Sequence, residues 1–122
     1  MEWLKFSHNW NNKLQCQAFT TIRFWNPAKY KEGAQFQIVL TDTKGAMKTD
    51  YGTATVAKVY QISMAQITEY IARMDTGYTA AETKNILRTM YKNKQVHWES
   101  QRLALALLVK DKAPEAKQES LF

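Results

Sequence analysis

Lys13-Leu14-Gln15-Cys16-Gln17-Ala18-Phe19-Thr20-Thr21-Ile22-Arg23-Phe24-Trp25 is the stretch that decides the fold. Leu14, Cys16, Ala18, Ile22 and Phe24 share one parity, broken only by Thr20. Lys13, Gln15, Gln17, Phe19, Thr21, Arg23 and Trp25 share the other. Period-two alternation places the two sets on opposite faces of a long strand, which Asn26-Pro27 ends. A strand of this length, followed by more strands and only two helical patterns, points to a β-rich domain.

Downstream, Gln35 to Leu40 reads as a second strand, with Phe36, Ile38 and Leu40 on one side. Thr53 to Ile62 is rich in β-branched residues and reads as a third. Ser63 and Gln66 have the spacing of a capping box, which predicts a helix over 64–74. Ile67, Tyr70, Ile71 and Met74 give that helix an apolar stripe, and Asp75-Thr76-Gly77 stops it. Thr79 and Glu82 form a second box, predicting a helix over 80–91 that buries Thr83, Ile86, Leu87 and Met90. Its opposite side carries Lys84, Arg88 and Lys92, the row expected of a solvated helix face. A final strand runs from Arg102 to Lys110. Strands, two helices, then a strand predict an α+β domain with a curved or closed sheet and a helical insertion. The expected division is a domain over 1–110 and a flexible tail over 111–122, where apolar periodicity ceases.

Composition narrows the function. The 122 residues suit one domain. Lys and Arg number 17 against 11 Asp and Glu, a formal charge of +6. That excess favours polyanionic partners. A single cysteine, Cys16, and two distant histidines, His8 and His97, argue against a disulfide or a metal site. No cofactor is expected. The longest apolar run, Leu103 to Val109, falls short of the ~20 residues that span a bilayer. No signal peptide is apparent, so the cytoplasm is the expected compartment.

The polar parity of the first strand is the candidate binding surface: Lys13, Gln17, Phe19, Thr21, Arg23 and Trp25. Bases stack on aromatic rings, and Arg binds phosphate or a base edge bidentately. Phe19 and Trp25 on a solvated face call for a ligand or a cover, unless a β-bulge exchanges the faces partway.

Phe19-Thr20-Thr21-Ile22-Arg23 resembles the motif of the ASCH group of PUA-like domains, in which a strand ends in Thr-x-Arg. Lys31-Glu32-Gly33-Ala34 resembles the turn before that family's second strand, and Gly52 to Val59 its next strand. The resemblance spans roughly Lys13 to Lys110. It implies a PUA-like β-barrel with two helices inserted before the last strand, and a cleft beside the barrel. The family is linked to RNA binding. Some small members hydrolyse the acetyl amide of N4-acetylcytidine with a Lys, a Thr and a Glu. Thr21 matches the Thr, and Arg23 the motif Arg. The Lys belongs three residues before the Thr, where this chain has Ala18. Near the Glu position this chain has Asp75 and Thr76. Lys13 would have to act from eight residues away. The resemblance, with Ala18 at that position, implies RNA or nucleotide binding ahead of catalysis. Thr21 and Asp75 are the catalytic candidates if the chain is an enzyme.

The chain ends Gln118-Glu119-Ser120-Leu121-Phe122. This resembles the short peptide by which many bacterial and phage proteins hold the DNA sliding clamp. Gln118, Leu121 and Phe122 would be its contacts: two apolar residues in a pocket and an amide at the edge. A chance ending gives the same five letters.

Overall fold

The computed structural model describes residues 1–111. Five strands form one sheet in the order β1-β3-β4-β5-β2, curled into a half-barrel. β1 (Trp3–Phe6) pairs parallel to β3 (Gln35–Thr41). β3, β4 (Met47–Ile62), β5 (Leu103–Lys110) and β2 (Ala18–Phe24) follow in antiparallel pairs. Between β4 and β5 the chain forms α1 (Glu69–Asp75) and α2 (Ala80–Met90). The class is therefore α+β, with the helices inserted before the last strand.

β5 shows why the sheet needs two layers of cover. Its residues Ala104, Ala106 and Leu108 join a core with Leu4, Phe6, Leu14, Phe36, Ile38 and Val56 in the hollow of the sheet. Leu103 and Leu105 pack on the other face with Ile22, Ile67, Ala72 and Leu87, beneath the helices. A strand covered on both faces reads as a near-continuous apolar run, as Leu103 to Val109 does. Leu107 is the exception: it is exposed.

Four elements differ from the expectation. β1 lacks an alternating run long enough to stand out, and its pairing to β3 is what makes it a strand. The long strand expected from Lys13 begins only at Ala18; Trp10–Gln15 is a 3₁₀ segment instead. The third strand starts six residues early, at Met47, and pairs with two neighbours across bulges. The first helix is split. Ser63 and Gln66 do form the capping box, but it caps the 3₁₀ turn Met64–Gln66. α1 then starts afresh with the Thr68 hydroxyl accepting from the Ile71 amide. Ile67 is buried at the break, while Tyr70 and Met74 of the expected stripe are exposed.

The boundary at residue 111 also shifts in meaning. Asp111 lies in the expected tail, yet its carboxylate accepts from Thr55 and Gln35, and its amide donates to the Thr53 carbonyl at 3.0 Å. Hydrogen bonding by the side chains of Thr55, first, and then Thr53 and Gln35 holds Asp111's carboxyl below its ordinary range. Gln118, Leu121 and Phe122 lie outside the described residues. Among the described residues, no helix is long and apolar enough to cross a membrane.

Candidate functional site

Lys13 is the residue whose surroundings differ most from those of an exposed strand position. Asn11 and Asn12, immediately before it, have φ of 58° and 52°. The left-handed region costs most residues energy and is tolerated best by Gly and Asn. Two such residues in succession turn the chain sharply and deliver Lys13 inward, where it is only 4% exposed. Its Nζ donates to Asp75 Oδ1 at 2.9 Å. Asp75, the last residue of α1, is 6% exposed. The same oxygen accepts from the Thr20 hydroxyl at 2.9 Å. Burying two charges costs several kcal/mol per ion, so such a pair persists only with close geometry and added hydrogen bonds, as here. Burial holds the Lys13 ammonium below the ordinary lysine range, against the pull of Asp75; the charge of Arg23 adds to the lowering.

Thr21 stands beside this pair on β2 and is 3% exposed. Its Oγ1 accepts from Arg23 Nε at 3.0 Å. The Thr21 hydroxyl proton has no acceptor among the described residues. Arg23 reaches on from β2 across the open side of the sheet, where a second guanidinium nitrogen donates to the Lys5 carbonyl on β1 at 2.7 Å. The guanidinium lies 4.6 Å from the Phe6 ring centroid, a cation–π distance. Arg23 forms no carboxylate pair among the described residues.

Lys13, Thr21, Arg23 and Asp75 all line one cavity of about 30 Å³, and Thr83 and Leu87 of α2 are also in its lining. That volume holds roughly two water molecules. Thr83 and Thr76 share a hydrogen bond of 2.7 Å in its wall. The lining thus brings together a lysine, a carboxylate and hydroxyls from four separated stretches of chain. Such a set can position a carbonyl and move a proton between a hydroxyl and an amine.

The expected binding stripe divides. Lys13, Thr21 and Arg23 meet at the cavity. Phe19 does not offer a stacking face: it is buried, with its ring edge-on to Phe6 at 6.0 Å. Gln17 lies at the far end of β2, donating to the Lys110 carbonyl. Trp25 packs against the core of the half-barrel and lines a separate depression with His97 and Arg102. Shared parity brought these residues together on paper. The polar parity in fact faces the hollow of the sheet, so its aromatic members join the core. Sequence reasoning also missed Lys5, Phe6 and Thr83 as parts of this site. The Asn11-Asn12 pair was the available signal that the chain turns before β2, since Asn favours left-handed turns.

No protein family, curated protein or solved structure matches this chain.

Proposed function

We propose that the chain binds a modified nucleoside, free or within RNA, at this cavity and hydrolyses an acyl amide carried by its base. One observation carries the reading: Lys13 is buried against Asp75 beside the Thr21 hydroxyl. The resemblance to small PUA-like hydrolases lacked a lysine at position 18. Lys13 supplies one through the turn at Asn11 and Asn12. Asp75 stands at the carboxylate position, one methylene shorter than Glu. The half-barrel with two inserted helices is consistent with a PUA-like architecture.

The chemistry assigns one role to each group. Lys13, once neutral, takes the Thr21 proton as Oγ1 bonds to the acyl carbon. The amide C–N bond breaks, and Lys13 returns the proton to the departing amine. Water then cleaves the threonyl ester, releasing the acid and restoring Thr21. Asp75 and Thr20 hold Lys13 in place. Arg23 fixes Thr21 Oγ1 and keeps a guanidinium edge available for the substrate.

The test is release of cytidine and acetate from N4-acetylcytidine by the purified chain. Thr21→Val should reduce turnover by at least ~10³-fold. Absence of turnover in the wild type overturns hydrolysis. A second reading, RNA or nucleotide binding without chemistry, is favoured by the charge of +6 and by Arg23, which has no carboxylate partner among the described residues. Salt-sensitive RNA binding with no turnover would select it. The terminal peptide Gln118 to Phe122 adds an independent proposal, attachment to a DNA sliding clamp.

A further inference from the structure

The cavity is far too small for a base. At about 30 Å³ it falls well below the ~300–1,000 Å³ of ordinary ligand pockets and accepts only a small polar head. Whatever carries that head must therefore lie at the mouth. Ser7, Trp10, Ile86 and Met90 line the cavity and also an outer groove of about 490 Å³. The groove is mainly apolar, and His8, Asn85 and Thr89 complete it.

Trp10 borders both spaces, and it is braced. The His8 ring lies 4.3 Å from it, tilted by 56°, and Tyr78 meets it edge-on at 6.2 Å. Met90, expected to be buried, is instead exposed at the end of α2 and faces the same groove. A braced indole and a thioether offer a flat ring a face and an edge. Polar groups at the rim, Ser7 and Asn85, can meet ring substituents; the Asn85 side-chain oxygen is engaged by Arg88, which leaves its NH₂ free to donate.

We infer that the outer groove is the base subsite: the heteroaromatic ring of the substrate lies against Trp10 and Met90 while its acyl amide enters the inner cavity. This rests on the proposed function for the identity of the ring. The four residues common to both linings set the two spaces side by side, and that adjacency gives the orientation. Selectivity among acylated amines then comes from the groove, and the Lys13–Thr21–Asp75 floor sets the reaction.

Cytidine, the product, is the probe, because its binding needs no turnover. In ¹H–¹⁵N spectra of the whole chain, cytidine should shift the Trp10 indole N–H, assigned with Trp10→Phe. Thr89→Trp adds bulk to the groove from an exposed helix position, away from Lys13 and Asp75. It should weaken cytidine binding about tenfold or more while leaving thermal stability unchanged. If N4-acetylcytidine is not hydrolysed but cytidine shifts Trp10 and Thr89→Trp blocks it, the subsite stands and hydrolysis falls. If turnover occurs and Thr89→Trp leaves KM unchanged, the subsite is wrong and the hydrolytic reading stands. Lys5, Arg23 and Lys29 line a separate depression beside β1, and cytidine shifts confined to these residues would also overturn the groove assignment.

Discussion

Lys13 carries opposing demands, and each can be measured. Its partner Asp75 is as buried as it is. Removing one member of a buried pair strands the other's charge, so Lys13→Met should destabilise the fold by about 3 kcal/mol in urea titrations. The double change Lys13→Met with Asp75→Leu should recover most of that loss, because no charge is left unpaired. A single change that costs nothing would mean the pair is solvated. The pH dependence has a definite sign. Lys13's folded pKa lies below the ordinary 10.5 because burial disfavours the charge. Below the folded value both states hold the proton, and the burial cost is present in full. Between that value and 10.5 only the unfolded chain binds it, so stability rises with pH. The wild type minus Lys13→Met difference in unfolding free energy should climb through this window. Turnover of N4-acetylcytidine should climb over a matching range if neutral Lys13 is the base.

Among the elements, the turn before β2 has the largest effect on the site. Gly77 follows α1 with φ of 86°, and an added Cβ would sit 3.1 Å from the Asn11 side-chain oxygen. Gly77→Ala therefore strains its own backbone and presses on the turn that delivers Lys13. A loss of about 1–2 kcal/mol is expected, with a larger fall in ligand affinity than in stability. Asn12→Gly, which suits φ of 52°, should leave stability within about 0.5 kcal/mol, whereas Asn12→Val should cost about 1–2 kcal/mol. Equal stability for Gly and Val would remove the strain argument. This turn also marks the limit of what the sequence made legible. Both capping boxes, β3, α2 and β5 could be read from local pattern, because caps and periodicity act over a few residues. The break at Ile67 could not, because it depends on Ile67 packing beneath the helices. Phe19 was misplaced because alternation separates two faces without saying which is wet. The resemblance singled out Thr21, Arg23 and Asp75; the meeting of Asp75 with Lys13 depends on a contact 62 residues apart in sequence.

At the scale of the whole molecule, the question is where the folded unit ends and the terminal peptide begins. Asp111 belongs to the fold. Its bonds to Thr53, Thr55 and Gln35 tie the end of β5 to β4 and β3. Its lowered pKa means that its contribution is present above the ordinary carboxylate range and is lost as pH falls through the folded value. Asp111 is exposed, so solvent screens these bonds and Asp111→Asn should cost less than about 1 kcal/mol. A chain ending at Asp111 should therefore keep the urea midpoint, the cytidine affinity and the turnover of the full chain. If the peptide Gln118 to Phe122 holds a sliding clamp, the same truncation should abolish clamp binding alone. Leu121 and Phe122 would supply ~1.5–3 kcal/mol each in an apolar pocket, offset by the cost of ordering the segment, so micromolar affinity is the expectation. A ring with several identical sites raises residence through repeated engagement. Fluorescence anisotropy of a labelled peptide covering 113–122 against the cognate clamp reads this directly. Saturable binding that Leu121→Ala with Phe122→Ala removes supports attachment. A flat titration would show that the ending is only a coincidence of five letters. A truncated chain that loses stability would instead place residues after Asp111 within the folded unit.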